Sequence, residues 1–468
     1  MSSNKLIEIK PGAGLNSGLV PSAEPAEGAI WRAARNCWVR DLTLEHSLGK
    51  AAIFSSLSNR PRVMAQIFTT AGVKRLYFED SGSVRKLEGT TATTIGVIST
   101  AGSPDFETFG DWLLVTDNIS PLKLWKNTGS LDIIADANTR FTRCKIIRRL
   151  AQHVIAYNTG GTNFASQTSF HWCSANDPEV WTPLPTNSAR DLNIRNLDSE
   201  IVAVEPLGAA HAVYSQNNLV LVRYLGPTQW FGTPNQGLQG IGAVSKRAVV
   251  SLGNINIGIS RAGVFLTDGN SFTYIDRPYI DKWLQSNVNW ATPDEIAGYW
   301  DDRLQAVVWA LPLVTGGKVG LTLDPKLAGG PRPFSFIDAD FKFGLKRDVF
   351  EFPITSFGKV LYNVSLPDTV VGNFSASTHL FDAGDNQTYK SWDRVVLTGK
   401  IDPTSQIRFG YADEPQIEAI EWDNWSTIDS SNVPFGPRES IYLAMELKGT
   451  STFRLSGLTV YGEKAGMV

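Results

Sequence analysis

A β-hairpin that recurs along the chain is the feature that most constrains the fold. In each copy, two short runs rich in β-branched and aromatic residues flank a turn of Asp, Asn or Gly. Successive strand positions are separated by 38, 40, 58, 44 and 43 residues, and they are Tyr77, Val115, Ile155, Val213, Ile257 and Trp300. A weaker seventh copy lies at 357–362. A β-rich period of this length is typical of four-stranded propeller blades, so the sequence predicts a β-propeller-like core.

The composition agrees with an all-β fold. The chain has 468 residues, with 14 Trp, 12 Tyr, 23 Phe, 41 Gly and 24 Pro. Aromatic residues favour strands, and frequent Gly and Pro favour the tight turns that join them. A chain of this length can bury a large core and can form more than one domain.

Three regions follow from the change of pattern along the chain. Residues 1–60 are rich in turn residues and predict an extended N-terminal arm, in which 30–40 forms a buried strand or short helix. Residues 61–390 predict the propeller-like domain, with insertions near 183–198 and 325–352 that we expect to face a lumen or a neighbouring chain. Residues 391–468 predict a C-terminal antiparallel β-sandwich, with strands at 394–398, 406–411, 417–420, 441–447 and 453–461. The best helix candidate is 278–288.

Charge and cysteine content limit the partners and the compartment. The net charge is −3 and the isoelectric point is about 6.0, which argues against a broad basic surface that grips nucleic acid. Cys37, Cys144 and Cys173 show no metal-binding or disulfide spacing, so a reducing compartment is expected. The N-terminus lacks an apolar signal segment, and no apolar run is long enough to span a membrane. The sequence therefore predicts a protein with no membrane anchor.

Sequence motifs give no sign of an enzyme. The motifs for serine hydrolases, phosphate-binding loops, dinucleotide binding and zinc proteases are missing. Five scattered histidines lack metal-ligand spacing, and they are His46, His153, His171, His211 and His379. Asp301-Asp302 and Asp338-Ala339-Asp340 could supply a glycosidase carboxylate pair, and 382–386 could hold calcium, but each also reads as a plain turn. We therefore predict no catalytic residue, no metal and no cofactor.

An aromatic corner stands out at 170–181. Asn176, Asp177 and Pro178 form a turn, because Asp can bond its own downstream backbone and Pro fixes φ. Trp172 and Trp181 flank this turn and are expected to pack onto the core. The sequence predicts a structural motif of Trp172, Asp177, Pro178 and Trp181.

The order of these elements resembles a known family. The arm leads into Trp31-Arg32-Ala33-Ala34-Arg35-Asn36-Cys37-Trp38-Val39-Arg40, hairpins follow, and the aromatic corner supplies an Asp-Pro-x-x-Trp element. The predicted sandwich ends with Phe453-Arg454-Leu455-Ser456-Gly457-Leu458-Thr459-Val460-Tyr461. Together these segments are similar to the tail hub or nozzle proteins of short-tailed bacteriophages, the group that includes tail-tubular protein B and the P22-type hubs.

The resemblance implies a structural virion protein of the phage tail, assembled in the host cytoplasm. It implies a ring, of six copies, below the portal and its adaptor (the head-to-tail connector), with tail fibres or spikes as further partners. The ring would be a gated conduit that retains double-stranded DNA and guides its ejection without sequence-specific binding.

Two alternatives belong to other classes. A glycan-binding or glycan-cleaving propeller, such as a receptor-binding tail protein, would bring carboxylates and aromatic residues together at one end of the propeller. A cellular scaffold propeller would bind peptides on a propeller face.

Overall fold

The computed structural model describes residues 4–9, 31–40, 43–233, 237–277, 280–325, 334–370, 373–383, 386–435, 438–450 and 453–467. The chain is nearly all β, with a propeller-like core and a C-terminal antiparallel β-sandwich, as the sequence predicts. The Pro- and Gly-rich stretches at 11–14 and 21–25, on which the predicted arm rests, lie outside the described residues.

In the described ranges, five strands precede the first blade. They are β1 (Asn4–Ile9), β2 (Trp31–Arg35), β3 (Cys37–Arg40), β4 (Thr43–His46) and β5 (Leu48–Phe54). The segment 30–40 thus contains two strands rather than a helix. Asn36, between β2 and β3, has a φ of 55°, a left-handed conformation that Asn tolerates better than most residues.

The first four blades are antiparallel four-stranded sheets, each made of consecutive strands. Blade one has β6 (Met64–Phe68), β7 (Lys74–Asp80), β8 (Ser83–Glu88) and β9 (Thr91–Val97); blade two has β10 (Asp105–Phe109), β11 (Trp112–Thr116), β12 (Lys123–Trp125) and β13 (Asp132–Ile133). Blade three has β14 (Arg143–Leu150), β15 (His153–Gly160), β16 (Ser169–Trp172) and β17 (Arg190–Asn193). Blade four has β18 (Ala203–Leu207), β19 (Ala210–Tyr214), β20 (Asn218–Gly226) and β21 (Trp230–Gly232), with β22 (Leu238–Gln239) also paired to β20.

Three further blades follow the same plan. Blade five has β23 (Val249–Ser251), β24 (Asn256–Ser260), β25 (Gly263–Thr267) and β26 (Phe272–Tyr274). Blade six has β27 (Ala297–Asp301), β28 (Ala306–Pro312), β29 (Lys318–Leu323) and β30 (Phe334–Ile337). Blade seven has β31 (Gly344–Leu345), β32 (Ile354–Phe357) and β33 (Val360–Val370), and its fourth strand is β5 from the N-terminal region.

The described part of the chain therefore forms a seven-bladed propeller. The innermost strands contact one another in chain order, and β31 of blade seven contacts β6 of blade one, which closes the ring. Because β5 precedes blade one in sequence and completes blade seven, it fastens the two ends of the ring together. Each blade lies between two neighbours, and in blade three all eight residues of β15 are buried, so both faces of this strand are covered.

Two sheets form the sandwich. Its remaining strands are β34 (Phe374–Thr378), β35 (Thr388–Lys400), β36 (Gln406–Ala412), β37 (Glu421–Trp422), β38 (Ser426–Thr427), β39 (Asn432–Pro434), β40 (Glu439–Ser440), β41 (Tyr442–Gly449) and β42 (Arg454–Met467). One sheet has the order β3-β4-β42-β35-β39, with β1 also on β42 and β40 on β35. The other continues from β30 of blade six through β2, β34, β41 and β36 to β37, with β38 also on β36. Side chains of both sheets and of blades five and six share one apolar core.

Three predictions of secondary structure differ from the observed elements. The hairpin at Trp300 joins the first two strands of its blade, whereas the other hairpins join the second and third strands. The sequence did not distinguish the two cases, because Asp301-Asp302 gives the same local turn signal as the other turns. The 417–420 segment contains a 3₁₀ turn (Ile417–Ala419) instead of a strand. The helix candidate yields α2 (Asp281–Asn287), with residues 278–279 outside the described ranges, and α1 (Ala135–Arg140) was not predicted.

The predicted insertions contain strands of the blades. The segment 183–198 contains β17, and 325–352 contains β30 and β31, with 326–333 outside the described residues. Sheets cross the predicted domain boundaries: β2 and β5 lie before residue 60, and β35 spans residue 390. The boundaries remain predictions.

Candidate functional site

The aromatic corner of 170–181 is a packed turn between blades. Trp172 and Trp181 are 3% and 1% exposed. The Asp177 amide donates to the Ser174 carbonyl at 3.1 Å, and the Asp177 carboxylate accepts the Glu179 amide at 3.0 Å. The indole of Trp181 donates to the carbonyl of Pro178 at 2.8 Å, so the turn closes on itself as the sequence suggests.

The two tryptophans fasten blade three to different neighbours. Trp172 belongs to the apolar cluster shared by blades three and four, and Trp181 to the cluster shared by blades two and three. The Trp181 amide also donates to the carboxylate of Asp136 in α1 at 2.5 Å. Trp172, Asp177, Pro178 and Trp181 thus form a structural corner.

Charged side chains from several blades meet in one network near the innermost strands. We call Asp105, Arg148, Glu205, Lys246 and Arg247 the channel cluster, because they lie on the innermost strands of blades two to four or in the loop that enters blade five. Arg148 donates to Asp105 at 2.6 Å and to Glu205 at 3.4 Å. Arg247 lies 3.9 Å from Asp105.

Lys246 extends this network across the channel. Its ammonium donates to the carbonyls of Ser103 at 2.9 Å, Pro104 at 2.8 Å and Lys145 at 3.2 Å. Three carbonyls therefore accept the three hydrogens that an ammonium offers. Lys246 is 4% exposed, so these bonds lie away from solvent.

Burial dominates the protonation of this region. Burial lowers the pKa of Lys246 to about 7, against the opposing charge of Asp105. Burial alone would raise the pKa of Asp105, but the cations of Arg148, Lys246 and Arg247 hold it below its usual range. Burial raises the pKa of the nearby Glu107 to about 7. The channel cluster is a set of mutually compensated charges that links blades two to five.

We call the face of the propeller on which the innermost strands begin the entry face. A cleft opens on this face, beside the channel. The cleft has a volume of about 340 Å³, and its walls include Lys145, Glu200, Asn217, Tyr274 and Asp294. Glu200 accepts hydrogen bonds from Lys145 at 3.2 Å and from Asn158 at 2.9 Å. Burial raises the pKa of Glu200, but these two donors outweigh that effect and leave the pKa below its usual range. The cleft can accept a polar ligand, but Glu200 is engaged as a structural ion.

Asp301 and Asp302, which the sequence offered as a glycosidase carboxylate pair, bind different partners. Asp301 is buried, accepts amides of Arg303 and Leu304 at 3.1 Å each and binds the hydroxyl of Ser365. Its burial raises its pKa to about 6. Asp302 pairs with Arg347 at 2.8 Å.

The second acidic pair behaves in the same way. Asp338 pairs with Arg35 at 2.7 Å, and Asp340 pairs with Arg60. Of the calcium candidate at 382–386, residues 384–385 lie outside the described ranges. The structure groups no three His, Cys, Asp or Glu side chains that could hold a metal ion within the residues it describes.

Sequence reasoning missed the channel cluster. Its members stand at the starts of successive repeats, in 105, 148, 205 and 246–247, and no local motif marks them. A superposition of the repeats on their innermost strands could have indicated them, because those strands converge on one axis.

Comparisons with known proteins identify no family. No protein-family model matches the chain, and no curated protein matches its sequence. Among solved structures, PorZ of the type IX secretion system of Porphyromonas gingivalis is 9% identical at a TM-score of 0.39 over 85% of this chain, which spans 48% of the PorZ chain. An exo-β-1,3-galactanase from Phanerochaete chrysosporium is 10% identical at a TM-score of 0.32, over 85% of this chain and 100% of that one.

Hsv2p of Kluyveromyces lactis is 7% identical at a TM-score of 0.36, over 80% of this chain and 100% of that one. At TM-scores below 0.5, these likenesses assign neither a family nor an activity. No helix in the described ranges is long and apolar enough to cross a lipid bilayer.

Proposed function

We propose that this chain is a non-enzymatic structural protein of the virion, a tail hub or nozzle of a short-tailed bacteriophage. Copies of the chain form a ring, six by the resemblance, below the portal and adaptor, and the ring retains DNA until ejection. One observation supports the proposal: the two segments that carry most of the resemblance to the hub family have structural roles, one between two blades and the other between the two sandwich sheets.

The first segment is the aromatic corner. Its Asp-Pro-Glu-Val-Trp turn fastens blade three to blade two through Trp181 and α1. A shared motif at such a place supports a shared architecture, because the turn has a structural role and leaves no polar group poised for chemistry.

The second segment is 453–461, at the end of the predicted sandwich. The strand β42 pairs with β1, β4 and β35, so it forms the centre of one sandwich sheet. Just before it, Phe453 stacks on Phe374 of the opposite sheet, with ring centroids 4.6 Å apart. The Phe-x-Leu-Ser-Gly-Leu-x-Val-Tyr ending therefore joins both sheets of the sandwich.

The channel cluster is compatible with a conduit between copies. Its Lys246 and Arg148 bonds connect blade two to blades five and three inside one propeller, so the proposed DNA passage lies outside this propeller. Closed rings need heterologous contacts that repeat around an axis, and the lumen then lies between copies. A weakly acidic chain suits such a lumen, since it binds phosphates poorly.

Cryo-EM and native mass spectrometry test the proposal. The purified chain is mixed with the portal adaptor encoded by the same genome, and a closed ring that seats on the adaptor is expected. A chain that stays monomeric with and without the adaptor would overturn it. Tail fibres or spikes are tested for binding to the assembled ring, since they would need its outer surface.

A glycan-binding or glycan-cleaving propeller is the second candidate, and the entry-face cleft favours it. The described walls of that cleft carry Glu200 and Asp294 beside one aromatic ring, Tyr274. A glycan array tests whether the protein binds glycans, and a hydrolysis assay on the same glycans tests whether it cleaves them. Binding lost in an Asp294→Asn variant, with no ring formed, would favour the glycan candidate over the hub.

A further inference from the structure

A groove of about 680 Å³ lies on the outward face of the sheet that joins blade six to the sandwich. Its floor runs across β2, β34 and β41 and includes Ser375 and Ser377. Trp283 of α2 and Phe336 form one wall, with ring centroids 4.3 Å apart, and Trp425 stands at the other side. We call this the sheet groove. Small floor residues between aromatic walls leave room for a chain segment.

The sheet groove has an excess of positive charge. Arg35 and Arg408 pair with Asp338 and Glu446 respectively, at 2.7 and 2.5 Å. Arg32 and Lys448 have no carboxylate partner among the residues described: Arg32 lies 3.5 Å from the Ser377 hydroxyl, and the Lys448 ammonium lies 3.9 Å from the centre of the Trp425 ring. Two cations in a groove with aromatic walls favour an acidic occupant.

An acidic loop of this same chain has the matching charge. The acidic loop is 413–418, and it exposes Asp413, Glu414 and Glu418. In the described part of the chain, none of the three has a basic partner at ion-pair distance, whereas nearby Glu421 and Glu446 are paired with Arg438 and Arg408. An unpaired acidic loop and a groove with unpaired cations are complementary surfaces on one molecule.

The acidic loop lies away from the groove of its own chain. It follows Ala412, whereas the groove lies at the other end of β36, where Arg408 and Gln406 face Glu446 and Lys448. Four residues of extended strand separate Arg408 from Ala412, about 13 Å. From Glu421 the chain then returns along the outer edge of β36. A groove and a loop that are far apart on one copy can meet only between two copies.

We propose that the acidic loop of one copy docks in the sheet groove of the next copy. Asp413, Glu414 and Glu418 would meet Arg32 and Lys448, and the contact would be heterologous, which closes into a ring when the rotation fits. This inference rests on the proposed function, because it names the contact between neighbours in the hub ring.

Charge reversal in both surfaces tests the contact by sedimentation velocity and native mass spectrometry, with and without the adaptor. Lys448→Glu and the double variant Asp413→Lys, Glu414→Lys are each expected to weaken self-association about tenfold or more, because each places like charges opposite one another. Combining all three substitutions in one chain restores opposite charges and is expected to return the affinity to within about threefold of wild type.

Asp429→Lys is the matched control, since it reverses an exposed carboxylate elsewhere in the sandwich. Lys448→Gln shows whether loss of charge without reversal gives an intermediate effect, and thermal unfolding confirms that each variant is folded. A combined variant no stronger than the single ones, or an equal loss in Asp429→Lys, overturns the contact.

The failure of this inference differs from the failure of the hub proposal. A ring that forms with unchanged affinity in every variant overturns the docking of the acidic loop and leaves the hub standing. A chain that stays monomeric under all conditions overturns both. Binding of an acidic glycan to the sheet groove, abolished by Lys448→Glu while self-association is unchanged, also overturns the contact.

Discussion

The ammonium of Lys246 lies 2.8 Å from the carbonyl oxygen of Pro104, a residue 142 positions earlier in the chain. Lys246 leads into blade five and Pro104 into blade two, so the bond crosses the central channel. The channel of this propeller is thus held by charge and hydrogen bonds rather than by apolar packing. Stability of the ring of blades should depend on these groups.

Lys246→Met is expected to destabilise the protein by about 3 kcal/mol or more, because buried carbonyls that lose their hydrogen-bond donor stay desolvated. The carbonyls of Ser103 and Lys145 would lose this donor, the carbonyl of Pro104 would keep only Arg247, and Asp105 would lose a nearby cation. Urea unfolding measures the change. Lys74→Met, at an exposed lysine of blade one, is the control and should lie within about 0.5 kcal/mol of wild type. Equal stabilities of the two variants would contradict the role of the network.

Trp181→Ala is expected to cost about 3 to 5 kcal/mol, since it leaves a cavity between blades two and three. Trp181→Phe keeps a ring and loses the indole bond to Pro178, so a smaller cost of about 1 kcal/mol is expected. Thermal and urea unfolding provide the readout. Phe68→Ala, at a side chain 59% exposed, is the control. A Trp181→Ala variant as stable as this control would show that the corner has no packing role.

Buried histidines should make the fold sensitive to acid. Burial lowers the pKa of His211 to about 3 and the pKa values of His153 and His171 to about 4. Each folded-state pKa lies below the value of 6.5 for an exposed histidine, so the unfolded chain binds more protons. The stability from these groups is complete above pH 6.5 and is lost as the pH falls from there toward 4.

His211→Gln isolates one of these groups. His211 contacts the Tyr157 hydroxyl at 2.8 Å and the Arg149 carbonyl at 3.1 Å, and glutamine can also donate and accept. Between pH 6 and 4 the variant should lose stability less steeply than wild type, by up to about 1.4 kcal/mol per pH unit. Glu107, whose raised pKa acts in the opposite sense, is present in both proteins and cancels in the comparison. Parallel stability–pH curves would refute this expectation.

Ala52→Pro is expected to loosen the closure of the propeller. Ala52 lies in β5 opposite Tyr362 of β33, and proline cannot donate a backbone hydrogen bond to the ladder. Hydrogen exchange should become faster in β32 and β33, with blade seven opening before the other blades. Ala52→Val keeps the amide and suits a strand, so it should leave exchange unchanged. Unchanged exchange in both variants would mean that β5 does not close the ring.

Local patterns predicted much of the fold. The hairpins around Tyr77, Val115, Ile155, Val213 and Ile257 are the second-to-third-strand hairpins of five blades. Their signals come from neighbouring residues, alternation and turn chemistry, which act within a few positions. The same holds for Asp177 and Pro178, whose turn depends on bonds that span two or three residues.

Pairing across the chain could not be predicted from such patterns. No local signal assigns β5 to blade seven, about 310 residues later, or joins β2 to both β30 and β34. The channel cluster is likewise invisible locally, since Asp105, Arg148 and Lys246 meet only when seven blades converge.

The sequence by itself determined the all-β class, the repeat, the aromatic corner and four of the five predicted sandwich strands, because short-range sterics and alternation govern strands and turns. Only the tertiary structure decided the number of blades, their closure, the fusion of blade six with the sandwich, and the separation of Asp301, Asp302, Asp338 and Asp340 onto different partners. Those features depend on which distant strands pair and which charges become buried together, and that is fixed by the free energy of the whole packed chain.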